Sequence, residues 1–264
     1  MLRTRVITAL ILAAAIIAAI YLLDTSWLGV ILGLFTAAAA WEWSALARIE
    51  GQFQRVLYVA AAVGLTFGFF FLVTPVVLLW VLVVVWIIAT IAVLTWPRSR
   101  HWIASPAVVA GLGLLILPGV LVALLVIHGL PNGGHWLLFA LLICWAADIG
   151  AYFAGKGFGR NKLAVNVSPG KTWEGALGGL LLALLVCGGL LFAAGVLDGF
   201  WILILTGLVA VSIIGDLFES LLKRASGAKD SGSLLPGHGG VLDRIDSVLA
   251  VSPFFALWLM SQAP

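Results

Sequence analysis

The chain has 264 residues, 63% of them hydrophobic and only 9% charged, with a net charge of +3. A mean hydropathy of +1.20 excludes a soluble globular domain. The two cysteines, Cys144 and Cys187, fall within apolar runs with no metal-ligand spacing, so they read as packing groups and no disulfide framework is expected.

Apolar runs of about 18 or more residues, enough to cross a hydrocarbon core of roughly 30 Å, recur along the whole length. Within each run the hydrophobicity is continuous, which favours spanning helices over a barrel of alternating strands. The expected fold class is all-α: a polytopic integral membrane protein forming one membrane domain. Nine spans are predicted, at 6–23, 27–47, 56–73, 76–94, 107–127, 136–154, 172–194, 200–221 and 242–260. The first exceeds a signal-peptide core in length and lacks a clear small-x-small cleavage site, so it reads as an uncleaved span.

The basic residues fix the direction. Arg3 and Arg5 precede span one; Arg48 and Arg55 separate spans two and three; Arg98 and Arg100 separate four and five. Lys156, Arg160, Lys162 and Lys171 lie between six and seven, and Lys223, Arg224, Lys229 and Arg244 between eight and nine. All 14 Lys and Arg residues therefore fall on one face if the spans alternate. By the positive-inside rule that face, with the N-terminus, is cytoplasmic, and the expected location is the inner membrane. The six arginines of the first half read as topology alone. The other eight lie in two loops among further polar residues.

Residues 1–135 form a scaffold of five spans without a chemical constellation. Glu42, in "WEWSALAR", is the one acid inside those spans, and a structural contact to Arg48 or a neighbouring helix is expected. Residues 136–264 carry the chemistry within the same membrane domain. Span six ends "CWAADIGAYFAGKGFGR", with Asp148 in its last turns, one turn from Tyr152. In the loop "NKLAVNVSPGKTWEG", Ser168 and Pro169 read as the N-cap and first residue of span seven. Such a helix start, with Lys171 beside it, is a natural anion site. "GKT" at 170–172 is not a P-loop, because Val165 stands where the first glycine is needed and no strand precedes it.

Span eight ends "SIIGDLFESLLKR", where Asp216, Glu219, Ser220 and Lys223 share one helical face. An unpaired acid as deep as Asp216 costs about 2.5–3.5 kcal/mol, so a cation, a wet cavity or a basic partner must answer it. Pro236, Gly237, Gly239 and Gly240 then break the helix, and span nine opens with Asp243 and Asp246 on one face. Two acidic pairs are thus expected to face each other across two helix ends, ringed by Lys223, Arg224, Lys229 and Arg244. Carboxylates for a hard cation such as Mg²⁺ and bases for phosphate are the needs of phosphoryl or nucleotidyl transfer.

The stretch "SLLKRASGAKDSGSLLPGHGGVLDRID", 220–246, fits throughout the signature S-x-x-K-R-x4-K-D-x-x-x-x-x-P-x-H-G-G-x-x-D-R-x-D. In this it resembles the phosphatidate cytidylyltransferase, or CDP-diacylglycerol synthase, family. The likeness extends upstream to cover about 145–247, whereas the first 135 residues resemble the family only in hydropathy. One departure is Val165, where the family commonly has Pro. The resemblance implies transfer of CMP from CTP to phosphatidic acid with Mg²⁺, with or without a second cation, by a homodimer; no nucleic-acid partner is expected. Asp216, Asp243, Asp246, Lys223 and His238 are the expected catalytic residues, and Asp216, Glu219, Asp243 and Asp246 the metal ligands. Asp148, Ser168, Lys171, Glu174, Ser220, Arg224, Lys229, Asp230 and Arg244 are the expected substrate-binding residues. Two rivals are a CTP-dependent lipid kinase, which shares the cation and phosphate needs, and a transporter. The second lacks its marks here, since the acids gather at one face and no internal repeat is found.

Overall fold

A computed structural model describes residues 2–228, 232 and 239–262, with side chains from Ile11 onward. Each predicted span is a helix: α1 (Leu2–Leu22), α2 (Thr25–Leu46), α3 (Gln52–Leu72) and α4 (Pro75–Leu94), then a short α5 (Arg100–Ile103), α6 (Pro106–Gly129) and α7 (Gly133–Phe158). A two-stranded ribbon follows, β1 (Lys162–Ala164) and β2 (Ser168–Thr172). The seventh span is α8 (Trp173–Ala183), a π-helical turn (Leu184–Gly188) and α9 (Gly189–Ala193); α10 (Gly199–Ser226) and α11 (Leu242–Gln262) complete the chain. Eight of these segments among the described residues are long and apolar enough to cross a membrane, and Ile11–Leu22 adds a shorter apolar stretch.

Local chemistry sets the helix ends. The Asp24 carboxylate accepts the amides of Ser26 and Trp27 to open α2, and Asp198 accepts that of Trp201 to open α10. Pro75 and Pro106 stand at the first positions of α4 and α6, where no intrahelical donor is needed. Gly227, at φ 80°, ends α10 in the left-handed region.

The start of α8 corrects the sequence expectation. Ser168 and Pro169 do not cap a helix but lie in β2, with Ala164 paired to Ser168 and Lys162 to Thr172. The cap falls four residues later, where the Thr172 hydroxyl accepts the Gly175 amide at 3.1 Å. Proline's fixed φ suits an edge strand as well as a first helical turn, so the dipeptide does not choose between them. Thr172 decides, because its side chain satisfies an otherwise unpaired helix donor.

Small residues let the functional helices approach. A Cβ on Gly150 of α7 would lie 2.4 Å from the Gly178 carbonyl oxygen of α8, and one on Gly179 would lie 2.6 Å from that of Ala147. At the α10–α11 crossing, a Cβ on Gly215 would lie 2.5 Å from the Asp246 carbonyl oxygen. Around these contacts sit two apolar cores, one including Trp43, Trp86, Leu117 and Phe218, the other Phe139, Ile143, Leu205 and Phe255.

Bonds across the bundle gather the basic loops at one end. Arg48, after α2, donates to the Ala225 carbonyl at the end of α10, 2.6 Å away. Arg224 donates through Nε to the Val167 carbonyl in the ribbon at 3.4 Å. At the other end His128 of α6 contacts Thr25 Oγ1 at 2.9 Å and the Ile20 carbonyl at 3.0 Å, tying down the first two helices.

Candidate active site

The face predicted on α10 is formed, and its charges are answered by lysine. Lys223 Nζ donates to Glu219 Oε2 one turn back at 2.9 Å and to Asp243 Oδ1 of α11 at 2.7 Å. One ammonium thereby joins the end of α10 to the start of α11. The other oxygen of Asp243 accepts the Gly240 amide at 2.9 Å. Gly239, at φ 79°, has no room for a side chain, since a Cβ would lie 2.9 Å from Asp243 Oδ2.

Asp216 is answered from a different element: Lys171 of β2 reaches across to pair with its carboxylate. Burial by itself would lower the pKa of the Lys171 ammonium. The charge and hydrogen bond of Asp216, with Asp148 and Asp246 beyond, outweigh that and hold it above the ordinary lysine value. Asp246 lies within electrostatic reach of Asp216, Glu219 and Asp148, and its Oδ1 accepts the Ser247 amide at 2.6 Å. Asp148 in turn interacts with Lys171, Asp216 and Arg244.

All the paired side chains are largely withdrawn from solvent, the most exposed being Lys171 at 29%. Pairs at such depth stabilise little, because desolvating two ions offsets most of their attraction. Apolar residues of similar size would hold these helices together as well. What they would not supply is polar groups gathered at one end of the bundle.

Among the described residues, Asp148, Asp216, Glu219, Asp243 and Asp246 interact with Lys171, Lys223 and Arg244. Glu219 Oε1 is buried without a hydrogen-bond partner among the described residues. No group of three or more His, Cys, Asp or Glu side chains among the described residues is gathered closely enough to hold a metal alone. That set does not make an all-protein cage for a cation. It fits a hard divalent ion of the Mg²⁺ kind, which takes one or two carboxylates and completes its shell with water and phosphate oxygens.

The remaining predicted residues take varied places. Ser220 lies half-buried on the Asp216 face of α10, and Arg224 and Arg244 are exposed. Ser168 sits in β2, three residues from Lys171. Glu174 faces a different way: it accepts the Arg160 amide at 3.1 Å, the Asn161 amide at 3.1 Å and the Asn161 side chain at 2.7 Å. Its carboxylate thus closes the base of the ribbon, beside a cleft of about 440 Å3 lined by Gly157 to Asn161. Lys229, Asp230 and His238 lie outside the described residues. Tyr152 is engaged by the Lys156 ammonium, 5.6 Å from its ring centroid.

One residue of this region had no role from spacing. Asn161 is the partner of a glutamate 13 residues away, a separation with no helical or strand register to betray it. Glu42 makes the contact to a neighbouring helix expected as the alternative to Arg48. Its Oε2 accepts the Leu242 amide at the start of α11, 200 residues away in sequence.

Lysines and carboxylates thus gather at one end of an apolar bundle whose helices are long enough to cross a membrane. The chain belongs to the cytidylyltransferase family, whose model matches residues 3–261, and is accordingly a nucleotidyltransferase. It is 43% identical over 265 residues to a phosphatidate cytidylyltransferase of Pseudomonas aeruginosa, covering 98% of this chain and 97% of that protein. Similar proteins of the same name occur in Haemophilus influenzae, at 38% identity with 97% and 98% covered, and Brucella suis, at 37% with 97% and 93% covered. The likeness therefore spans nearly the whole chain and is not confined to 145–247; the first 135 residues share it.

Proposed function

We propose that the protein is a CTP:phosphatidate cytidylyltransferase, making CDP-diacylglycerol for phospholipid synthesis. The observation that carries the chemistry is the bridging of Glu219 and Asp243 by Lys223, beside the Lys171–Asp216 pair. A phosphate oxygen of phosphatidic acid attacks the α-phosphorus of CTP. The bond from that phosphorus to the bridging oxygen breaks, and pyrophosphate leaves with the electron pair.

Both reactants are anions, the lipid phosphomonoester carrying about −1.5 to −2. Their mutual repulsion, not a missing acid or base, is the obstacle. Lys171, Lys223, Arg224 and Arg244 supply the charge that offsets it. The carboxylates hold the two half-buried ammonium groups in place. The one or two carboxylates that would hold Mg²⁺ are drawn from Asp216, Glu219, Asp243 and Asp246, and the bound ion would neutralise phosphate charge and polarise the bond to pyrophosphate. The apolar residues Ile149, Phe153, Leu177 and Leu181 point outward from α7 and α8 near Asp148. The acyl chains can therefore remain in the bilayer while the headgroup reaches the array from the side.

The same reading places the enzyme in the inner membrane with its active site toward the cytoplasm. The clustering of basic loops at the end that carries the array supports this. It also includes the homodimer that the family resemblance implies.

The test uses purified protein in detergent with phosphatidic acid and CTP labelled at its α-phosphate, with and without Mg²⁺. Label is expected in a CDP-lipid, with pyrophosphate released, only when Mg²⁺ is present. Label confined to CDP, with a γ-label entering the lipid, would make it a lipid kinase. Label in neither, with solute flux in vesicles, would make it a carrier.

A further inference from the structure

Glu42 is the one acid that the scaffold helices carry deep into the bundle, and the chemistry above leaves it without a role. It is 2% exposed. Its Oε2 accepts the Leu242 amide at 2.9 Å. That amide is one of the first donors of α11, which have no partner within their own helix, and it lies at the positive end of the helix dipole. On the other side of the carboxylate stands Gly232, in the α10–α11 connection. A Cβ there would lie 2.4 Å from Glu42 Oε1, 2.6 Å from Cδ and 2.7 Å from Cγ. The carboxylate is thus wedged between the start of α11 and the Gly232 backbone.

The helix that carries Glu42 is fastened on three sides. Trp43 donates to the Val109 carbonyl of α6 at 2.8 Å, Arg55 of α3 donates to Ser44 Oγ at 3.0 Å, and Arg48 holds the end of α10. The residue after Leu242 is Asp243, whose two oxygens take the Lys223 ammonium and the Gly240 amide. Any slip of the α11 start would carry Asp243 away from both.

We propose that Glu42 is a positioning residue for CMP transfer: from the first five spans it clamps the first turn of α11 beside the Gly232 backbone, so that Asp243 is held at Lys223. It touches no substrate and acts through Leu242 and Gly232. The proposal rests on the activity assigned above, so one arm of its test needs no substrate.

The test measures kcat and KM for both substrates, and amide hydrogen exchange over 240–246, in full-length protein in detergent. Glu42→Ala is expected to lower kcat roughly 10- to 100-fold, the loss of one hydrogen bond to a charged group, with KM for CTP within about threefold. Exchange over 240–246 should accelerate by a similar factor. Glu42→Gln keeps an acceptor of the same reach and should recover most of both quantities. Gly232→Ala approaches the clamp from the other side and should mimic Glu42→Ala with the carboxylate present, which decides the matter if Glu42→Ala does not fold. Equal behaviour of the Ala and Gln variants, or unchanged kcat and exchange in Gly232→Ala, would overturn the clamp. A wild type that transfers no CMP would instead sink the assigned activity, and the clamp would then stand or fall on exchange alone.

Discussion

The first five spans and the last four are built from the same apolar vocabulary but spend their polar residues differently. In the first half, α3 has 11% of its most apolar window buried, against 56% in α6 and in α11. Its outward residues, such as Leu57 and Phe71, are exposed to whatever surrounds the bundle. The second half instead ends its helices in ion pairs: Lys171 with Asp216, and Lys223 with Glu219 and Asp243. Charge at membrane depth is costly, so a chain that keeps it confines it to where it is used. The two halves are also joined, because the single deep acid of the first five spans, Glu42, accepts the Leu242 amide of α11.

Substitutions can break this contrast in order of expected size. Asp216→Asn and Asp243→Asn should each lower CMP transfer at least about 100-fold while the protein still assembles in the membrane and elutes as a single species. Near-normal turnover by either would remove the carboxylate assignment. Lys223→Ala leaves Glu219 and Asp243 facing each other without their shared cation. We expect a loss of about 3–5 kcal/mol in detergent unfolding and a raised KM for CTP or lipid, with Lys223→Arg retaining more of both. An unchanged KM for both substrates would deny Lys223 a phosphate-binding role.

Gly178→Leu tests whether close packing of α7 and α8 is what delivers Lys171 to Asp216. A Cβ at Gly178 would already lie 2.2 Å from that of Ala154. Overpacking of this kind should cost about 1–3 kcal/mol and reduce activity with it, measured by thermal unfolding and turnover. Full activity in a destabilised variant would separate the packing from the site. The smallest effect is expected at Leu57→Ala on α3, within about 0.5 kcal/mol and with activity unchanged. A large drop there, accompanied by a change in oligomeric mass, would show that a second copy covers this face.

The site was partly readable in advance because helix geometry is short-ranged. Spacings of three and four residues placed Asp216, Glu219 and Lys223 together, and the 2.9 Å pair between the last two follows from that register. The same logic could not say what answers Asp216, since Lys171 lies 45 residues away in a ribbon that no periodicity announced. Ser168 and Pro169 carried a helix-start pattern that a five-residue strand satisfied equally well. Glu174 reads in sequence as one more acid beside a lysine, and only folding commits it to Arg160 and Asn161.

The sequence by itself determined the apolar helical segments and the charged helix face, because hydrocarbon thickness and helical periodicity act on neighbouring residues. Tertiary structure alone decided that Lys171 meets Asp216, that Lys223 also reaches Asp243, and that Glu42 accepts the Leu242 amide. Those contacts join residues up to 200 positions apart, and no local rule reaches that far.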